Sequence, residues 1–146
     1  MKYLVAIDFS ESMKKIIESV KLCIRDENDQ VILLHVAEPD PYFDGYEIDT
    51  EQMRDVEAKR YYKEKCDLEA IKEDLDQEGI NSKALLIQGA IVETILHEAE
   101  KLAVDVIIIG SHGKNFMQRT LLGSSSTGIM HKSTLPVLIV PTHSNK

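Results

Sequence analysis

Five short runs of the chain are apolar without alternating: Tyr3-Leu4-Val5-Ala6-Ile7, Val31-Ile32-Leu33-Leu34-His35-Val36, Ala84-Leu85-Leu86-Ile87, Val106-Ile107-Ile108-Ile109 and Val137-Leu138-Ile139-Val140. A strand with one solvated face alternates polar and apolar residues with period two. Continuous runs rich in Val and Ile therefore predict strands buried on both faces, as in a parallel sheet covered by helices.

Between the runs the period becomes helical. Met13, Ile16, Ile17, Val20 and Ile24 fall on one helix face, with Ser10 as the expected N-cap. A second stripe runs from Tyr61 through Leu68, Ile71 and Leu75, and Gly79 is expected to stop it. Ile91, Ile95, Ala99 and Leu102 mark a third helix, and a short fourth falls between Ser124 and Lys132, ahead of Pro136. Glycine inside a helix costs about 1 kcal/mol relative to alanine, so Gly128 predicts that the fourth helix starts late. The order β-α-β-α-β-α-β-α-β implies right-handed parallel crossovers and a doubly wound α/β sandwich. One domain is expected over residues 1–146, with no internal repeat, linker or low-complexity tract. The one long aperiodic stretch, Glu38 to Ile48, contains Pro39, Pro41 and Gly45 and reads as a solvated connection or as a cover over a ligand.

Composition narrows the class. A chain of 146 residues with 43% hydrophobic content suits one core. Cys23 and Cys66 lack CxxC or zinc-ligand spacing and read as reduced structural thiols. Asp8 interrupts the N-terminal apolar run before a signal-peptide core forms, and no segment reaches the roughly 18 apolar residues of a membrane span. A cytoplasmic location is the expectation, with no membrane partner. The net charge of −8 argues against binding nucleic acid, which calls for a basic face. That charge is uneven: residues 106–146 hold four of the 17 basic residues and none of the 25 acidic ones, giving +4 there against −12 before. Strands and a glycine loop need few charges, which accounts for the contrast; a locally anion-tolerant site accounts for it equally.

Candidate chemistry follows from position. In an open parallel sheet ligands sit beyond the carboxyl ends of the strands, where the strand order reverses. The first run ends at Asp8, the second at Val36 and the fourth at Gly110. After the fourth come Gly110-Ser111-His112-Gly113, nine residues, and Gly123-Ser124-Ser125-Ser126-Thr127. Glycines let backbone amides approach an anion, and hydroxyl residues opening a helix add donors at its positive end. As composition alone, the same residues fit an ordinary turn and cap; their place after the fourth strand favours a phosphate cradle. Neither GxxxxGK[ST] nor GxGxxG after the first strand is present.

The spacing G-x2-G-x9-G-S at Gly110, Gly113, Gly123 and Ser124 resembles the ATP-binding signature of the nucleotide-binding branch of the universal stress protein family. The resemblance covers nearly the whole chain: Leu4 to Ser10 resembles the family's first strand and turn, Leu33 to Val36 its second strand, Asp105 to Gly113 its fourth and Pro136 to Pro141 its last. It implies a three-layer, Rossmann-like sandwich of the adenine nucleotide alpha hydrolase-like type, with a five-stranded parallel sheet of order 3-2-1-4-5. By resemblance, the backbone of Val36 meets adenine, Asp8 reaches the ribose or the adenine edge, and Gly110 with His112 lines the sugar and first phosphate. Gly113, Gly123, Ser124, Ser125 and Ser126 then hold the remaining phosphates of ATP, ADP or AMP, with any Mg²⁺ held mainly by those phosphates. Two stretches depart from the family pattern: Gly89-Ala90-Ile91, where a polar residue and proline are usual, and Thr127-Gly128 after the glycine-serine pair.

Other readings of the same residues stand beside these. Asp8 also suits a cap for the first helix. His35 and His97 read as structural histidines, and Lys114 and Arg119 either steer phosphate or lie in a solvated loop. A hydrolase built on Ser125, His131 and Asp8 lacks a GxSxG elbow. The last strand, Val137 to Val140 between Pro136 and Pro141, is expected at an exposed apolar edge. Antiparallel pairing with a second copy covers that edge, and the resemblance implies the same homodimer. The function expected is a nucleotide-responsive regulatory module in stress response; the alternative is a slow ATPase or phosphotransferase using Mg-ATP.

Overall fold

A computed structural model describes residues 1–38, 50–112 and 122–142. In chain order the elements are β1 (Lys2–Ala6), α1 (Met13–Cys23), β2 (Gln30–Ala37), α2 (Thr50–Gln77), β3 (Asn81–Gln88), α3 (Ile91–Lys101), β4 (Val106–Gly110), α4 (Ser124–Lys132) and β5 (Val137–Val140). The strands form one parallel sheet of order β3-β2-β1-β4-β5, the order that the family resemblance implies.

The unbroken apolar runs have a two-sided explanation. Successive strand residues point to opposite faces, and both faces are covered. Tyr3, Val5, Val31, Leu33 and Ile108 pack with Ile16 and Val20 of α1 and Leu68 and Leu75 of α2. Leu4, Ile32, Leu34, Ile107 and Ile109 pack on the other side with Ile95 and Ala99 of α3 and Ile129 of α4. The edges differ from the three central strands. β3 exposes Asn81, Lys83 and Gln88, while β5 exposes the apolar Leu138.

Gly79 ends α2 as its position predicts. It adopts φ +80°, its N–H donates to the Asp76 carbonyl, and the Ile80 N–H donates to that of Leu75, the two bonds of a Schellman motif. α3 closes with the same pair of bonds, Ala103 N–H to Glu100 O and Val104 N–H to Ala99 O, although the left-handed residue is Ala103 at φ +51°.

Two expectations about helix starts are corrected. α1 begins at Met13 with Ser12 as N-cap, and neither Ser12 nor Ser10 supplies a side-chain cap bond. The reason lies in the turn before it: the Ser10 N–H donates to Asp8 Oδ1 at 3.0 Å and Phe9 is left-handed at φ +56°, which holds Ser10 out of a capping position. α4 starts at Ser124 rather than late. Gly128 is admitted because a Cβ there would lie 3.0 Å from Val92 Cγ2, so its place follows from close packing of α4 on α3.

Candidate functional site

The order reversal lies between β1 and β4: from β1 successive strands are added outward as β2 and β3, and from β4 outward on the other side as β5. Asp8 follows β1 and Gly110 closes β4, so both stand at the carboxyl edge of this reversal. β2 outruns β1 there. Its ladder with β1 ends at Ala6 opposite Leu34, while that with β3 continues to Ala37 opposite Gln88. Val36 is thus paired across to Ile87 alone and contributes backbone to the lip of the crevice.

The turn after β1 is built by specific contacts. Asp8 caps no helix; its one bond among the described residues is from the Ser10 N–H. No described residue donates to its second carboxylate oxygen. The Ser10 hydroxyl is buried and has no hydrogen-bond partner among the described residues. Beneath the turn His35 Nδ1 lies 2.6 Å from the Ile7 carbonyl. A carbonyl only accepts, so Nδ1 carries the proton. The Phe9 ring packs tilted on the His35 imidazole, centroids 4.6 Å apart, and Nε2 lies 3.5 Å from Glu64 Oε2. His35 is therefore a structural histidine, and it anchors the left-handed Phe9 turn that presents Asp8.

The turn after β4 is held more tightly still. Ser111 is its hub. Its N–H donates to Val140 O at 2.8 Å and its carbonyl accepts the Gly123 N–H at 2.8 Å. Ser111 Oγ accepts the Thr142 N–H at 3.0 Å and lies 3.0 Å from His112 Nδ1 and 3.2 Å from Thr142 Oγ1. The His112 N–H in turn donates to Thr142 Oγ1 at 3.2 Å, and the Ser12 hydroxyl donates to Thr142 O at 3.3 Å. Ser111, His112 and Thr142 are all buried.

Gly110 has a packing reason for lacking a side chain. A Cβ would lie 3.0 Å from both Ile16 Cδ1 and Thr142 Cγ2, so α1 and the segment after β5 close over it.

α4 is fastened to this turn at two points. Besides the Gly123 bond to Ser111, the Ser126 hydroxyl donates to Gly110 O at 2.7 Å. Gly123 is the N-cap at φ −66°, ψ 160°; among the described residues α4 has no side-chain cap, and its first turn holds no acidic residue. The first amides of a helix have no intrahelical acceptor and carry the positive end of its dipole. Ser124 is exposed and Ser125 half-buried, whereas Ser126 is buried with its hydroxyl engaged. Any contact from Ser126 to a ligand would thus come from its backbone amide.

The structure brings Asp8, Val36, Gly110, His112, Gly123, Ser124, Ser125 and Ser126 to the carboxyl side of the sheet. Gly113, Lys114 and Arg119, and the stretch 39–48, lie outside the described residues. Sequence reasoning gave no role to Ser111, Ser12 or Thr142. Ser111 sits inside the glycine turn and was open to notice; Thr142 is 31 positions away and only the β4–β5 pairing brings it there. Among the described residues no group of three His, Cys, Asp or Glu side chains is placed to hold a metal ion, and no helix is long and apolar enough to cross a membrane.

A five-stranded parallel sheet of order 3-2-1-4-5 with helices on both faces defines the class, a doubly wound, Rossmann-like α/β fold. The sequence model of the Universal stress protein family matches residues 1–141, and the chain belongs to that family. It is 32% identical over 151 residues to universal stress protein MJ0577 of Methanocaldococcus jannaschii, an alignment spanning 95% of this chain and 93% of the relative. The solved structure of MJ0577 superposes with a TM-score of 0.86 at 33% identity, covering 99% of this chain and 97% of that one. More distant in sequence is an Arabidopsis thaliana universal stress protein family structure with AMP bound, with TM-score 0.71, 20% identity and coverage of 99% and 93%. A universal stress protein in complex with cAMP has TM-score 0.65, 18% identity and coverage of 98% of each chain. At the last two identities the likeness is one of fold.

Proposed function

We propose that the crevice between the ends of β1 and β4 binds an adenine nucleotide, and that the protein is a nucleotide-responsive regulatory module of the stress response. The observation that carries this reading is the uncapped, acid-free start of α4, fastened by Gly123 and Ser126 to the end of β4. An anion there completes amides for which the described residues supply no side-chain acceptor. In this reading Gly123, Ser124, Ser125 and Ser126 hold phosphates together with Gly113, and Gly110 and His112 line the sugar and first phosphate. The second oxygen of Asp8 takes a ribose hydroxyl or the adenine edge, and the backbone at Val36 takes adenine. The donor chemistry suits ATP, ADP or AMP, with Mg²⁺ entering on the phosphates. Relatives of this fold solved with cAMP and with AMP support an adenine nucleotide in particular. We further propose that β5 pairs antiparallel with β5 of a second copy, covering its exposed apolar edge.

The test is Gly123→Val with calorimetric titration of ATP and AMP. The backbone angles at Gly123 are open to any residue, so the fold should persist at a capping cost of about 1 kcal/mol. A side chain in the phosphate path should weaken binding by more than about tenfold, equivalent to 1.4 kcal/mol. Affinity equal to that of the unaltered protein would remove this loop from the site. Mass spectrometry of the denatured protein identifies any nucleotide that copurifies, and ADP accumulating from added ATP over hours would favour the slow ATPase instead.

A further inference from the structure

Glu64 of α2 carries a carboxylate oxygen, Oε2, that is shut off from solvent and has no hydrogen-bond partner. The group facing it is His35 Nε2 on β2, 3.5 Å away. The other ring nitrogen is engaged: Nδ1 lies 2.6 Å from the Ile7 carbonyl and is the donor there. A neutral ring with its proton on Nδ1 turns the Nε2 lone pair toward Glu64, acceptor against acceptor. One added proton between Nε2 and Oε2 makes the contact an ion pair and completes the buried oxygen. Arg60 settles on which side that proton rests. Its Nε lies 3.8 Å from Glu64 Oε1 and pairs with the carboxylate, so the proton belongs to the imidazole. The other ionisable groups on the elements around the ring are Asp8 in the turn after β1, Glu57, 3.8 Å from Arg60 Nη1, and Tyr61, whose hydroxyl donates to Leu86 O opposite His35 on β3. Among the described residues none of these three bonds to the ring.

We propose that His35 and Glu64 are positioning residues for the nucleotide site: they share one proton, held on Nε2 opposite Oε2, and in that state clamp the turn that presents Asp8. The inference rests on the adenine-nucleotide reading above and adds to it a fall of affinity as pH rises. A charged ring is the stronger donor at Nδ1, so the same proton tightens the bond to Ile7 O, one residue before Asp8. Phe9 packs on the ring with centroids 4.6 Å apart and holds φ +56° there. Loss of the proton sets a lone pair against a buried carboxylate and loosens the contact between α2 and the turn. Neither residue touches the ligand in this account. The pair gives α2 a part in a site whose edge is formed by β1 and β4.

Glu64→Gln is nearly isosteric and replaces the shared proton by an amide N–H, which a neutral Nε2 accepts without titrating. Glu64→Ala supplies no partner. Calorimetry with AMP at about pH 6 and about pH 8 spans the range over which an imidazole changes charge. At the higher pH the unaltered protein should bind about fivefold more weakly than Glu64→Gln, equivalent to one ordinary hydrogen bond, and at the lower pH the two should agree within about twofold. Glu64→Ala should be weaker by about fivefold than Glu64→Gln at both. The titrations of AMP and of His112 are common to all three proteins, so the comparison isolates the pair. Imidazole ¹⁵N spectra of the unaltered protein should show His35 Nδ1 protonated throughout and Nε2 protonated at the lower pH. Equal pH dependence of the unaltered protein and Glu64→Gln overturns the inference, as does full affinity of Glu64→Ala at the lower pH. Should the variants fail to fold, the spectra carry the test: a bare Nδ1, or no proton taken up at Nε2, overturns it. If the unaltered protein binds no adenine nucleotide, the reading of the site fails and the positioning role goes with it; binding that follows pH alike in all three proteins isolates failure of this inference alone.

Discussion

Asp8, Gly110 and Ser126 show how much of a candidate binding site is occupied with holding itself together. One oxygen of Asp8 fixes a turn, and the hydroxyl of Ser126 ties α4 to β4. Gly110 is bare of a side chain because Ile16 and Thr142 close on it from two elements. Gly110→Ala should therefore destabilise the fold. Contacts at 3.0 Å on two sides oppose relaxation, and overpacking of about 1–3 kcal/mol outweighs the 0.5–1 kcal/mol by which alanine improves on glycine in a strand. A net loss of about 1 kcal/mol in urea unfolding checks this, and unchanged stability would show that Ile16 yields freely. Asp29, far from the site, accepts from the N-terminal ammonium and from the N–H groups of Arg25 and Asp26, which lowers its pKa to about 2. It pins the turn into β2 beside the start of β1.

The elements were mostly legible because each carries its own signal. Apolar runs gave the strands, the i, i+3, i+4 spacing gave the helices, and Gly79 gave the stop of α2. What the signals missed lies where one element's end is decided by another. Ser10 reads as a cap for α1, yet Asp8 takes its N–H and the left-handed Phe9, seated on His35, turns the chain first. Gly128 reads as a reason for α4 to start late, yet Val92 requires it small. The close of α3 is the converse case, a left-handed Schellman residue with no glycine to announce it. Ala103 is exposed at φ +51°, so Ala103→Gly loses no packing and relieves a conformation costing an L-residue about 1 kcal/mol. The variant should unfold about 0.5–1 kcal/mol later in denaturant, and a destabilised variant would show that the strain is absorbed elsewhere.

Across the whole molecule the two sheet edges are treated differently. β3 interrupts its edge with Asn81, Lys83 and Gln88, which discourages pairing. β5 has no polar residue, exposes Leu138 to 38%, and is limited in length by Pro136 and Pro141. This contrast supports β5 as the edge that meets a second copy. Light scattering at micromolar concentration should give a dimer mass, and Leu138→Lys should give a monomer because a charge on a shared apolar edge is left without water. A monomeric unaltered protein would rule the pairing out. β5 and the turn after β4 are joined through one short segment, Val140 to Thr142, whose two ends bond to Ser111.

The sequence by itself determined the strands, the helices and their alternation, since hydrophobic period and glycine punctuation are local properties. It also marked the glycine-rich segments after β4 as the place for an anion, and their resemblance to one family foretold the sheet order. The tertiary structure alone decided which hydroxyls and amides remain to meet a ligand. Ser126, Ser12 and Thr142 are alike as short polar residues in a sequence, and each is committed by a partner 16 to 130 positions away. Hydrogen bonds at that separation depend on strand pairing and layer packing, which no local period encodes.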